Sequence, residues 1–201
     1  MPELEGKSLG RYELRRLIGK GGMANVYEAF DALLGQVIAV KVFKREDEEL
    51  LRRFLREAQL MSSLQGHHLV PIYDSGTALL DNALHYYIAM PYMEGGTLRV
   101  RIRRSPMALD EACRAIGSIA DALDYIHSRG IIHRDIKASN VLIGGDGDYY
   151  LTDFGIARIT DDLTHLTTTG NVLGTVDYVA PELFELDRKA DALSDLYSLG
   201  I

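Results

Sequence analysis

Hydrophobic and polar positions along the chain change their period twice. Between Tyr12 and about Tyr92, short runs rich in β-branched and aromatic residues alternate with polar ones. That spacing predicts strands over 12–18, 24–31 and 36–43, and two more over 69–75 and 86–92 with 77–85 as their connector. One stretch interrupts them. Over 46–64, Leu50, Leu51, Phe54, Leu55, Ala58, Met61 and Leu64 recur at spacings of three and four with charges between, which predicts an amphipathic helix. After Gly95-Gly96 the period changes again. Ala112, Ile116, Ile119, Leu123 and Ile126 predict a helix over 109–129 that Gly130 stops. Two short strands over 141–143 and 149–152 flank a Gly-Gly-Asp-Gly turn, and 160–174 is threonine-rich, polar and aperiodic. A β-rich first lobe joined to a helical second lobe, with the boundary near Glu94, is the simplest organisation.

Composition narrows the picture modestly. The 201 residues are 47% hydrophobic and 25% charged, an ordinary globular balance with enough chain for a buried core. The net charge of −7 argues against the chain as a whole binding nucleic acid. Arginines cluster locally at Arg99, Arg101, Arg103 and Arg104, and at Arg52, Arg53 and Arg56, and read as solvated helix faces. The single cysteine, Cys113, excludes an intrachain disulfide and suits a reducing compartment; it reads as a small core residue on a helix. No apolar run reaches the ~18 residues of a membrane span, and the start is no signal peptide, so a soluble, cytoplasmic chain is expected.

The chemistry lies in three places. Gly19-Lys20-Gly21-Gly22-Met23-Ala24-Asn25-Val26 sits between two predicted strands, where glycines let backbone amides approach phosphate oxygens that a Cβ would obstruct. A strand on both sides argues against dinucleotide-binding and Walker-type loops, which open a helix. Lys41 lies inside the apolar strand Ile38-Ala39-Val40-Lys41-Val42, where a charge is costly to desolvate unless paired. Glu57, on the following predicted helix, is its best partner. The third place is His133-Arg134-Asp135-Ile136-Lys137-Ala138-Ser139-Asn140, followed by Asp153-Phe154-Gly155. It gathers carboxylates, a lysine and an amide of the kinds that phosphoryl transfer from a magnesium nucleotide uses.

Together with Ala180-Pro181-Glu182, these motifs resemble the protein kinases, and especially bacterial serine/threonine kinases of the eukaryotic type, from about Arg11 to the last residue. The resemblance implies an α+β, bilobal protein-kinase-like fold. Its first lobe, 11–94, would be an antiparallel sheet with one long helix, binding nucleotide. Its second, 95–201, would be mainly helical and incomplete, carrying the catalytic and activation loops. ATP and Mg2+ are the implied cofactors. Asp135 would orient the substrate hydroxyl and take its proton; Lys137 would neutralise the transferred phosphoryl group. Lys41, held by Glu57, would grip the phosphates, and Asn140 and Asp153 would bind magnesium. The nucleotide would contact Ile18, Gly19, Lys20, Gly21, Gly22, Met23, Ala24, Asn25 and Val26, with Val26, Ala39 and Leu142 sandwiching the adenine. Met90 falls at the gatekeeper position, and the backbone of Pro91 to Met93 at the hinge.

Lys137 and Gly174-Thr175 before Tyr178 point to serine and threonine hydroxyls of proteins as substrates. Arg134 before Asp135 implies a phosphorylated activation loop, with Thr169 and then Thr167 as the expected sites. Self-association for autophosphorylation stays open. Ala24 stands where the family has a third glycine, a mild departure. The chain also stops within the second lobe, so a piece of a longer kinase is expected, whose intact parent can carry a membrane anchor. The rival reading is an inactive nucleotide-binding or regulatory fragment.

Overall fold

Alternation at a period of two is visible in the first sheet as two faces of different character. In the computed structural model, which describes residues 4–22, 24–44, 55, 58–59, 62–153, 176–184 and 188–201, six strands pair in the order β1-β2-β3-β4-β6-β5. They are β1 (Ser8–Leu9), β2 (Tyr12–Lys20), β3 (Ala24–Asp31), β4 (Gln36–Phe43), β5 (Asp74–Leu80) and β6 (Ala83–Pro91), and every pairing is antiparallel. Tyr27 and Ala29 of β3, Ile38, Val40 and Val42 of β4 and Ala89 of β6 share one face. With Leu4, Leu9, Tyr12 and Leu14 they form a buried core. Cross-strand neighbours share a face, so the registers Val26↔Lys41 and Ala39↔Met90 put these four residues on the other side.

Turn chemistry sets the registers. The Asp31 carboxylate accepts the amides of Leu33 and Leu34 at 2.9 and 3.2 Å, and Gly35 at φ 66° closes the β3–β4 turn. Asp31 also pairs with Arg11 at 3.2 Å with its side chain 2% exposed. Beside it, Asp74 accepts the hydroxyls of Tyr12 and Tyr87 at 2.6 and 3.2 Å.

Expectation and structure part at β5. The strand expected over 69–75 forms instead at Asp74–Leu80, and most of the expected connector 77–85 is strand. The reason is the Asp81-Asn82 pair, both with positive φ (51° and 57°), which makes a two-residue turn between Leu80 and Ala83. Leu69 makes only an isolated parallel bridge to Leu151. Of the helix expected over 46–64, Leu55, Ala58 and Gln59 are helical, Ser62 is already in a turn, and residues 45–54, 56–57 and 60–61 lie outside the described residues.

The chain divides into two units, Met1–Gln65 with Val70–Met93, and Gly66–Leu69 with Glu94–Ile201. In the second, β7 (Gly96–Thr97), β8 (Val141–Ile143) and β9 (Tyr149–Leu151) form a small antiparallel sheet. Its helices are α1 (Leu98–Arg104), capped by Thr97, α2 (Leu109–His127) and α3 (Ala192–Leu199), capped by Asp191. Helix α2 ends two residues before the expected 129. Gly130, at φ 72°, donates to the His127 carbonyl at 2.9 Å and Ile131 to that of Ile126 at 3.0 Å, a closure that ties down the helix end. The buried residues of α2 are Ala115, Ile119, Ala122, Leu123 and Ile126. Cys113, expected in the core, is exposed, and so is Ile116 at 53%. Two residues before Ala115 is ~200° around the helix, so Cys113 faces away from the buried stripe.

Candidate active site

In the first unit, the glycine loop is the turn of the β2–β3 hairpin, with Gly19↔Val26 and Lys20↔Asn25 in register. The Gly21 amide donates to the Ala24 carbonyl at 2.9 Å, and a Cβ on Gly21 would lie 3.1 Å from that oxygen. A side chain there would make that carbonyl give way by a few tenths of an ångström. Ala24 is 6% exposed, so the start of β3 accommodates a methyl group where the family has a third glycine. The Lys44 ammonium donates to the Gly21 carbonyl, tying the loop to the end of β4. Lys41 emerges on the Val26, Ala39 and Met90 face, its ammonium 5.7 Å from the Phe43 ring centroid. Ile18 is 37% exposed. Pro91, the last residue of β6, pairs with Ile38, and Met93 follows in an irregular segment.

In the second unit, Asp135, Lys137 and Asn140 converge within one turn. Asn140 stands in a 3-10 turn, Ala138–Asn140, directly ahead of β8, and is 6% exposed. Its carboxamide donates to the carbonyl and to the carboxylate of Asp135, both at 2.8 Å. The Lys137 ammonium lies 2.7 Å from the same carboxylate oxygen of Asp135. Asn140 also fastens the next segment, since its carbonyl accepts the Thr152 amide at 2.9 Å, one residue before Asp153. Asp153 has φ 60° and Arg134 φ 66°, left-handed conformations that non-glycine residues hold only under surrounding constraint. Leu142 lies on β8 opposite Thr97 and Tyr150.

The constraint at Arg134 is visible. The Asp195 carboxylate, on α3 and 1% exposed, accepts the amides of His133 and Arg134 at 2.8 Å each. His127, at the end of α2, lies 2.8 Å from the same carboxylate through Nε2. His133 is fully buried, and burial pushes its imidazole below the ordinary value, against the opposing pull of Asp195. In the neutral form its Nε2–H donates to the Thr152 carbonyl at 3.1 Å and its Nδ1 accepts the Asp135 amide at 3.3 Å. A cleft of about 310 Å³, partly open to solvent, adjoins Asp135 and is lined also by Arg134, Ile136, Tyr178 and Leu183.

With both amide hydrogens of Asn140 committed to Asp135, its carboxamide oxygen is the atom suited to a hard cation, as is the Asp153 carboxylate. Among the described residues no group of three His, Cys, Asp or Glu side chains could hold a metal ion. A two-residue oxygen set suits magnesium, which keeps waters and substrate phosphate oxygens in its shell. Met23, Glu57, Thr167, Thr169 and Thr175 lie outside the described residues. Sequence reasoning singled out neither His127 nor Leu183. His127 is the last α2 residue before a glycine closure, a signal of where it sits but not of what it touches.

The protein kinase domain family matches residues 12–201. The chain is 43% identical over 197 residues to a probable serine/threonine-protein kinase of Streptomyces coelicolor, covering 95% of this chain and 29% of that one. It is 43% identical over 203 residues to serine/threonine-protein kinase PrkC of Bacillus subtilis, with 98% and 30% covered. Against serine/threonine-protein kinase PknE of Mycobacterium tuberculosis, identity is 40% over 199 residues, with 97% and 34% covered. The chain therefore spans only 29% to 34% of the length of these curated relatives. A crystal structure of the Mycobacterium tuberculosis PknI kinase domain matches the fold with a TM-score of 0.75 at 27% identity, covering 99% of this chain and 74% of that one. With the match extending over nearly its whole length and relatives above 40% identity, the chain belongs to the protein kinase domain family.

Proposed function

We propose that the chain transfers the γ-phosphoryl group of ATP to serine and threonine hydroxyls of proteins. The observation that carries this reading is the knot at Asp135, whose carboxylate meets the Asn140 carboxamide at 2.8 Å and the Lys137 ammonium at 2.7 Å. A substrate hydroxyl needs a fixed carboxylate to orient it and take its proton, and Asp135 is held by two neighbours and by its own amide bond to His133. Lys137, beside it, meets the negative charge of the phosphoryl group during transfer. The Asn140 and Asp153 oxygens would hold magnesium, which would supply positive charge against the nucleotide phosphates. Lys41 would contact the phosphates, paired with Glu57. The Val26, Ala39 and Met90 face, with Leu142, would take the adenine, an apolar slot beside polar anchors. The glycine loop from Ile18 through Val26 would follow the phosphates, and Pro91 to Met93 would supply backbone hydrogen bonds to the base.

Residues 11–94 would thus bind nucleotide, and 95–201 would carry the chemistry. Thr169 and Thr167 are the proposed phosphorylation sites, reached through self-association and read by Arg134. Among the described residues no helix is long and apolar enough to cross a membrane. We place the chain in the cytoplasm, where ATP and reduced thiols are available.

Radiolabelled ATP with a generic protein substrate tests the reading, wild type against Asp135→Asn. Wild-type labelling that falls at least a hundredfold in the variant is expected, the scale of a lost general base. Equal labelling would remove Asp135 from its role. Nucleotide binding without labelling in the wild type would favour a regulatory fragment.

A further inference from the structure

Residues 4–9 lie ahead of the span 12–201 that the family matches, yet they are fastened to the first sheet. Leu4 is 1% exposed and Leu9 fully buried in its core. The Lys7 amide donates to the Leu4 carbonyl at 3.1 Å, in a turn where Gly6 takes φ 77°. Gly6 donates to the Leu14 carbonyl at 2.7 Å, and Leu14 to the Lys7 carbonyl at 2.8 Å. The Lys7 ammonium pairs with Asp81 of the β5–β6 turn. These bonds hold the segment along the outer edge of β2, and one side chain reaches further along that edge. The Glu5 carboxylate accepts the Leu17 amide at 2.6 Å.

That amide sits where β2 is least held. The β2–β3 register slips between Leu14 and Arg16 and again between Leu17 and Gly19, so Ile18 is an extra residue with no partner on β3. A bulge of this kind leaves its residue outside the ladder and bends the strand, which re-aims the side chains beside it. On the other edge, β1 pairs with β2 only at Glu13 and Tyr12. Among the described strands none lies beside Leu17 on that edge, and the Glu5 carboxylate stands in for a ladder acceptor. Leu17 packs against the core, Ile18 is 37% exposed, and Gly19 to Gly21 follow directly.

We infer that Glu5 is a positioning residue for the glycine loop: its carboxylate fixes the bulge at Leu17, and the bulge sets the course of Ile18 and Gly19 into the β2–β3 turn. Glu5 is not among the groups proposed to meet nucleotide, so its effect passes through the Leu17 amide. The inference rests on the phosphate-binding role proposed for the loop, but the anchor has a readout that needs no nucleotide. Glu5 is exposed, so water competes for the same amide and a modest effect is expected.

Two variants separate the acceptor from the rest of the side chain. Glu5→Gln keeps an oxygen at the same reach, whereas Glu5→Ala removes it. Amide hydrogen exchange, followed residue by residue by NMR, should accelerate about threefold to tenfold at Leu17 and at Gly21, whose amide closes the turn on Ala24, in Glu5→Ala. It should stay near the wild-type rate in Glu5→Gln, with the Ile38 and Val40 amides of β4 as the unchanged control. MgATP affinity, titrated calorimetrically, should fall about threefold to tenfold in Glu5→Ala and stay within about twofold of wild type in Glu5→Gln. Unchanged exchange at Leu17 in Glu5→Ala would overturn the inference, as would acceleration spread equally over β4, equal behaviour of the two variants, or faster exchange with undiminished MgATP affinity. A wild type that binds no MgATP, with the contrast at Leu17 and Gly21 intact, would count against the phosphate-binding role and leave the Glu5 anchor standing.

Discussion

A buried histidine that must stay neutral leaves a mark on the stability of the whole second unit. His133 can bridge Thr152 and Asp135 only with Nδ1 unprotonated, and burial holds its affinity for protons below the ordinary value. An unfolded imidazole takes up its proton near pH ~6.5. Below that pH the unfolded chain binds more protons than the folded one, so stability falls as pH falls; above it, the contribution is fully present. The denaturation midpoint should therefore drop between pH 7 and pH 5, and drop less in His133→Gln. The same slope in both proteins would assign the loss to other groups. At this scale the sequence was readable wherever a residue's role depends on neighbours along the chain. Asp135, Lys137 and Asn140 span six positions, and one turn brings them together. His127 and Asp195 are 68 positions apart, so their contact was invisible until α2 and α3 were packed.

Elements were legible in proportion to how much of their signal is local. Strand β3, strand β4 and the pair β8 and β9 sit where alternation and the intervening glycines put them, within a residue at each end. Strand β5 was misplaced because its turn carries no glycine or proline. Asp81 and Asn82 adopt positive φ instead, which short polar side chains tolerate and β-branched ones do not. Asn82→Val should lower unfolding free energy by roughly 1–2 kcal/mol, while Asn82→Gly should leave it within about 0.5 kcal/mol, both read from urea unfolding. Equal cost from the two variants would point to a lost Asn82 side-chain contact in place of backbone strain. The misassignment of Cys113 has a comparable cause. Periodicity identified α2 as a helix, but which stripe is buried depends on what packs against it, and the buried stripe runs through Ala115, Ile119 and Ala122.

For the molecule as a whole, the proposed function requires that the folded chain bind a magnesium nucleotide. A ligand that binds only the folded form stabilises it by about 2.7 kcal/mol at a concentration a hundred times its Kd. MgATP should therefore raise the apparent melting temperature of the wild type and of Asp135→Asn alike, and raise that of Lys41→Met much less. A full shift in Lys41→Met would take Lys41 out of phosphate binding. The sequence by itself determined the family, the glycine hairpin, the strand that carries Lys41 and the Asp135–Asn140 turn. Each is written in residues a few positions apart, where chain geometry alone brings side chains together. Only the tertiary structure decided the β5 register, the exposure of Cys113, and the contact of His127 with Asp195. Those depend on which surfaces exclude water together, and residues far apart in the chain share such a surface only once the elements have packed.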